Sequence, residues 1–202
     1  MKCFVLVLFL VGVQSAVAAD SNGVTFSVGA GMGKASIENP DQTKAHYKVL
    51  ALQGRGQIPL IYSNSFEADL VGAMRYLDLE NTANNSYQSE VANLIGPGVG
   101  LELRAFKFVL GAEYHIMLAR HYAVGSISRD MKYEMPMLNL YGGLNFQFNQ
   151  LAVSISYSQG SATVPKASSG LTKDSPYTDQ IYWLQLTYST GASFTKFISF
   201  LF

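Results

Sequence analysis

The chain is short of three things that most secreted domains of its size rely on. It has a single cysteine, Cys3, so no internal disulfide can form. Charge of either sign is scarce: Asp, Glu, Lys and Arg make up 14% of 202 residues and cancel to a formal net charge of zero. There is therefore no broad basic surface for nucleic acid, and none is expected as a partner. No apolar run reaches the ~18–20 residues of a membrane-spanning helix. Yet 49% of the residues are hydrophobic, far too many for a disordered chain. The hydrophobicity is dispersed, and its spacing carries the information.

The N-terminus stands apart. Lys2 is followed by an apolar stretch over residues 3–13, then by small residues through Ala18 and Ala19. A basic start, a short apolar core and a small-residue cleavage point describe a secretory signal peptide over residues 1–19. Asp20 stands where a lipoprotein would need cysteine. Cleavage removes Cys3 and Lys2, which leaves no thiol and a net charge of −1. Residues 20–202 are expected to form one domain.

From Val24 onward the dominant period is two, the signature of strands. Residues 24–32 place Val24, Phe26, Val28, Ala30 and Met32 on one face. Seven further segments follow, around residues 47–57, 66–76, 91–104, 108–118, 137–146, 151–158 and 182–189, and none has helical spacing. The connections between them alternate. Long polar ones are expected near 36–45, 79–90, 119–132 and 159–179, and tight ones at 58–64, 105–107 and 149–150. This describes an antiparallel up-and-down meander with two unlike ends, as in barrels with short periplasmic turns and long outer loops.

Two closed barrels fit eight such strands. A soluble lipocalin-like barrel turns its apolar stripe inward, and a transmembrane barrel turns it to lipid. The second stripe here is rich in Gly, Ala and Ser and carries isolated charges of both signs: Arg55, Glu67, Asp69, Arg75, Glu102, Arg104, Glu113 and His115. Small residues suit the narrow lumen of an eight-stranded barrel, and enclosed charges need opposite partners. Lysines fall mostly in the expected loops and turns, at Lys44, Lys107, Lys132, Lys166 and Lys173. Aromatic residues gather near strand ends, among them Tyr47, Tyr62, Tyr76, Tyr133, Tyr157 and Tyr182, where interfacial rings are favoured. The favoured architecture is an all-β, eight-stranded antiparallel up-and-down transmembrane β-barrel, with that charged set as a polar network in its lumen.

The chain resembles the small eight-stranded outer-membrane barrels related to the transmembrane domain of outer-membrane protein A and the opacity-type proteins. The resemblance rests on the overall pattern, on the glycine- and aromatic-rich first strand (residues 26–33, FSVGAGMG), and on an aromatic chain end. Two ends are available, residues 191–194 (GASF) and residues 200–202 (FLF), so the last strand is expected within 180–202, with a C-terminal tail as an alternative. The resemblance implies a monomer in the outer membrane, with lipid and lipopolysaccharide around it and the barrel-assembly machinery as folding partner. No periplasmic peptidoglycan-binding domain fits in the remaining length.

Motifs for chemistry are weak. Residues 29–36 (GAGMGKAS) lack the first glycine and the hydroxyl of a phosphate-binding loop. His46, His115 and His121 show no paired metal-ligand spacing. In the lipid A deacylases a serine lies two residues beyond the catalytic histidine, whereas Ala123 follows His121 here. No enzyme, cofactor or metal is therefore expected. The expected role is structural or adhesin-like, through loops for which no ligand can be named. The alternatives are a narrow small-solute conduit, a lipid A-modifying membrane enzyme and a soluble periplasmic binding barrel.

Overall fold

The computed structural model describes residues 23–38, 44–63, 66–82, 90–122, 130–165 and 174–191. The expected signal peptide (1–19), the tips of the long connections and the aromatic chain end lie outside these residues. Eight strands are present: β1 (Thr25–Glu38), β2 (Lys44–Ser63), β3 (Phe66–Asn81), β4 (Glu90–Ala105), β5 (Phe108–Tyr122), β6 (Asp130–Phe148), β7 (Leu151–Val164) and β8 (Ser175–Ser189). Each pairs antiparallel with the next, and β8 closes on β1 from Thr25↔Ser189 to Ile37↔Tyr177, giving a closed barrel. Closure leaves no unpaired sheet edge.

Most strands run further than the sequence expectation, β2, β7 and β8 the furthest. β2 runs on to Ser63, through residues expected to turn. The ladder shifts register between Pro59 and Ile61, and such a bulge breaks the alternation by which a strand is recognised. β7 and β8 extend to Val164 and back to Ser175, well into the expected loop over 159–179. Lys44 and Lys132, expected in loops, likewise belong to β2 and β6.

Proline within strands follows the ladders. Pro59 lies at the bulge, Pro97 in a gap of the β4–β5 ladder between Ile95↔Leu118 and Gly98↔His115, Pro136 beyond the last β6–β7 pair (Met137↔Ala162), and Pro176 beyond the last β8–β1 pair. A residue without an N–H is tolerated where one neighbour makes no ladder bond.

The wall has two solvation regimes. Toward the short-turn end the outside is apolar: Val28, Leu52, Leu101, Leu110, Leu140, Ile155 and Leu184 are all exposed. Phe26, Phe66, Phe106, Phe108, Phe146, Phe148 and Tyr188 ring that edge. Toward the long-connection end the outside becomes polar, at Lys34, Lys48, Asp78, Arg120, Glu134, Gln159 and Gln180. The inside switches the opposite way at nearly the same level. Going toward the long connections, Gln53 gives way to Ala51, Arg75 to Leu77, His115 to Met117 and Asn139 to Met137. Above that level the lumen is filled by an apolar core including Ile37, Tyr47, Val49, Leu79, Leu94, Met135, Val164 and Tyr177.

The lower part is thus apolar outside and polar inside, as a lipid-solvated barrel must be. The upper part, a collar of about six residues per strand, is polar outside and apolar inside, as a water-solvated barrel is. Tyr47 and Tyr133, expected at the membrane interface, instead point inward, only 2% and 4% exposed, within the collar core. Their odd-numbered neighbours on β2 and β6 share that inward face, so parity outweighs the interfacial preference of the ring.

Candidate functional site

The candidate site is the polar tier of the lumen. Its floor plan comes from strand parity, because inward residues of adjacent strands meet side by side. Inward glycines on one strand leave room for large side chains on the next. A Cβ on Gly111 would collide with the Tyr141 ring, one on Gly98 with His115, and one on Gly31 with Ile181 and Trp183. The glycines that look featureless in sequence are therefore the complement of the functional side chains.

Arg55, on β2, is central and 6% exposed. Its Nη1 lies 2.9 Å from Glu102 Oε2 and its Nη2 2.5 Å from Glu113 Oε1. The guanidinium also stacks over the Tyr141 ring at 4.6 Å and donates to its hydroxyl, which in turn donates to Glu102 Oε2 at 2.8 Å. Gln53 Nε2 donates to Glu113 Oε2 at 3.0 Å, and His115 Nε2 lies 2.8 Å from the same oxygen. A second hub is Arg104, which reaches Glu102 Oε1 at 2.8 Å, Asp69 Oδ2 at 3.0 Å and Glu67 Oε2 at 3.4 Å. Gln57 ties the hubs together by accepting from Arg104 at 2.6 Å and donating to Glu102 at 3.0 Å. Buried charges held with several hydrogen bonds each are the arrangement in which an enclosed ion pair is tolerated.

Arg75 is placed differently. It is 1% exposed, it makes none of these ion pairs, and its Nε and Nη1 have no hydrogen-bonding partner among the described residues. Its guanidinium lies 4.9 Å over the Trp183 ring, whose Nε1 donates to Ser158 Oγ at 2.8 Å. The favourable charge around it comes from Asp179, then Glu113. Asp179 is held by Gly160 N at 3.0 Å and by the Tyr177 hydroxyl at 3.2 Å.

Seven of the eight residues expected in the lumen thus share one continuous network, and Arg75 sits just above it against Trp183. Sequence reading missed four contributors. Gln53, Gln57 and Tyr141 carry no formal charge, although their inward parity was legible. Asp179 fell in an expected loop because the collar reverses the sense of the alternation. Two small spaces lie in this tier, about 30 Å³ beside Arg104 and Tyr141 near the short-turn mouth and about 10 Å³ beside Arg75 and Asn139. The second is about the size of one water. Among the described residues no three His, Cys, Asp or Glu side chains converge as a metal site. His121 is the penultimate residue of β5, and its side chain lies outside the described residues.

Among solved structures, neisserial surface protein A superposes with a TM-score of 0.53 at 11% identity, covering 85% of this chain and 99% of that one. The chain has the fold of the small eight-stranded outer-membrane barrels. Two weaker likenesses are the attachment invasion locus protein Ail of Yersinia pestis, in complex with a heparin analogue, and the outer membrane protease OmpT of Escherichia coli. Their TM-scores are 0.46 and 0.47, at 11% and 8% identity, covering 81% and 87% of this chain and 99% of each of theirs. At these values they carry no argument about chemistry. No family profile matches the chain, and no curated protein matches it in sequence.

Proposed function

We propose that the protein is a monomeric, integral outer-membrane barrel with a structural or surface-interaction role, adhesin-like rather than porin-like. The observation that supports this most is the double filling of the lumen. A hydrogen-bonded ionic tier occupies the part within the apolar belt, and an apolar core occupies the collar. An eight-stranded barrel has interior space only for its side chains, and here both tiers are occupied.

The collar supports the surface role. About six residues per strand at ~3.3 Å each, tilted by ~40°, raise the long connections about 15 Å above the apolar belt. A rigid rim that carries loops clear of the lipid is suited to contact with large partners. The narrow-conduit reading draws on the polar mouth at the short-turn end, but it requires the apolar core to part as well.

Two measurements test the proposal together. Unboiled and boiled membrane fractions are expected to migrate differently on electrophoresis, and the reconstituted barrel is expected to show no discrete conductance in a planar bilayer. Cells displaying the protein with its four long connections shortened should lose adherence while keeping the migration shift. Steady conductance steps would overturn the filled-lumen reading, and unchanged adherence would overturn the surface role.

A further inference from the structure

On the outside of the barrel an apolar furrow runs along β1. Ala30 stands between Leu52 of β2 and Leu184 of β8, its register partners, both about 59% exposed. A methyl group between two rows of leucine leaves a groove of about 760 Å³ bounded by Met32, Leu50, Leu52, Tyr182 and Leu184. It continues down past Val28 and Leu186, sharing Ala30, Leu52 and Leu184 with the space below. Upward it shares Met32, Leu50 and Tyr182 with a further space of about 520 Å³ whose walls include Lys34 and Lys48.

Those two lysines are directly opposed across β1 and β2, both outward and exposed. Like charges opposite one another on a sheet are destabilising, and neither lysine is ion-paired among the described residues. Glu80 faces Lys48 from β3 without forming such a pair. The lysines sit one outward position above Met32 and Leu50, where the outer wall changes from apolar to polar. From Lys34 to Val28 is about 20 Å at ~3.3 Å per residue, or about 15 Å along the membrane normal at a tilt of ~40°. That is one leaflet of a ~30 Å hydrocarbon core.

We propose that this furrow is the seat of a phosphate-bearing lipid of the outer leaflet, its phosphate bridging Lys34 and Lys48 and one acyl chain lying over Ala30. The proposal rests on the membrane reading above, and it assigns one defined lipid site on the apolar belt. A bridging anion relieves the lysine–lysine repulsion, and an acyl chain fills a notch that neighbouring side chains leave open. Glu80 opposes the phosphate, which gives the site an internal control.

The test is native mass spectrometry of the folded full chain in detergent, titrated with bis-phosphorylated lipid A and with the same lipid dephosphorylated. Retention of the phosphorylated form is expected to fall about 30-fold in the K34Q/K48Q variant, at roughly one lysine's surface attraction each. Dephosphorylated lipid should bind wild type no better than that variant. Ala30→Leu should weaken retention by filling the notch, Glu80→Gln should strengthen it, and equimolar inorganic phosphate should not displace the lipid. Equal retention by wild type and K34Q/K48Q, or indifference to Ala30→Leu, would overturn the proposal. The migration shift on boiling is recorded for every variant. A barrel that keeps its shift but ignores phosphate defeats this site alone, whereas loss of the shift from wild type defeats the membrane reading beneath it.

Discussion

Arg55 is the cation on which two buried carboxylates depend, since Glu102 and Glu113 both approach its guanidinium. Removing it leaves Glu102 with Arg104 but strips Glu113 of its nearest full positive charge. Breaking a buried pair from one side is destabilising by about 3–5 kcal/mol. Arg55→Met is therefore expected to unfold at markedly lower urea concentration in lipid vesicles, followed through the boiling-sensitive band. Arg55→Lys should recover only part of the loss, because an ammonium cannot bridge two carboxylates and stack on Tyr141 together. Equal stability of Arg55→Met and wild type would mean that the network is incidental to the barrel. The charged members were legible from inward parity alone. Their partners Gln53, Gln57 and Tyr141 were not, because an uncharged side chain on a lumen face gives no sign of the bond it will make.

At the scale of strands, glycine and proline mark how neighbours fit. Gly111 lies under the Tyr141 ring, so a branched side chain there must displace the ring that links Arg55 to Glu102. Gly111→Leu is expected to destabilise the barrel by about 1–3 kcal/mol through overpacking, as read by urea titration. Gly72, with nothing near its missing Cβ, should accept the same change with less than a quarter of that effect. If both substitutions weigh equally, strand propensity rather than lumen packing governs these positions. The strand count and most of the turns were readable from alternation, and the two-residue turn after β4 falls at Phe106 and Lys107 as the pattern indicates. There Phe106 takes a positive φ of 56°, an unusual conformation for a bulky residue. The ends of β2, β7 and β8 were not readable. A bulge shifts the parity in β2, and in the collar the polar residues that suggested loops are the water-facing side of strands.

For the molecule as a whole, the change of solvation along the barrel axis is the organising feature. It predicts that one substitution has unequal consequences at two heights on β8. Leu184→Arg, on the apolar belt, should oppose folding into bilayers by about 2–4 kcal/mol. Gln180→Arg, on the collar two outward positions away, should be nearly neutral. Inside, the order reverses: Val49→Asp in the collar core should be severely destabilising, because it leaves a buried charge unpaired. Folding yields into lipid vesicles across the three variants check this, and equal penalties at positions 180 and 184 would remove the two-regime description. The choice between a membrane and a soluble barrel, open from composition, thus has a different answer at each end.

Sequence alone determined the repeat of two, the eight strands and the unlike ends, because alternation is a local property that the pleat imposes on each strand separately. Only the closed structure decided which inward residues meet, since lumen contacts join residues from different strands, such as Arg55 with Glu102 and Glu113. It also decided that the apolar face changes sides partway along the wall. On β2 that change is written as Leu50 and Leu52 outward but Tyr47 and Val49 inward. It becomes intelligible only when all eight strands are aligned at a common height, where lipid and water act as two solvents on one barrel.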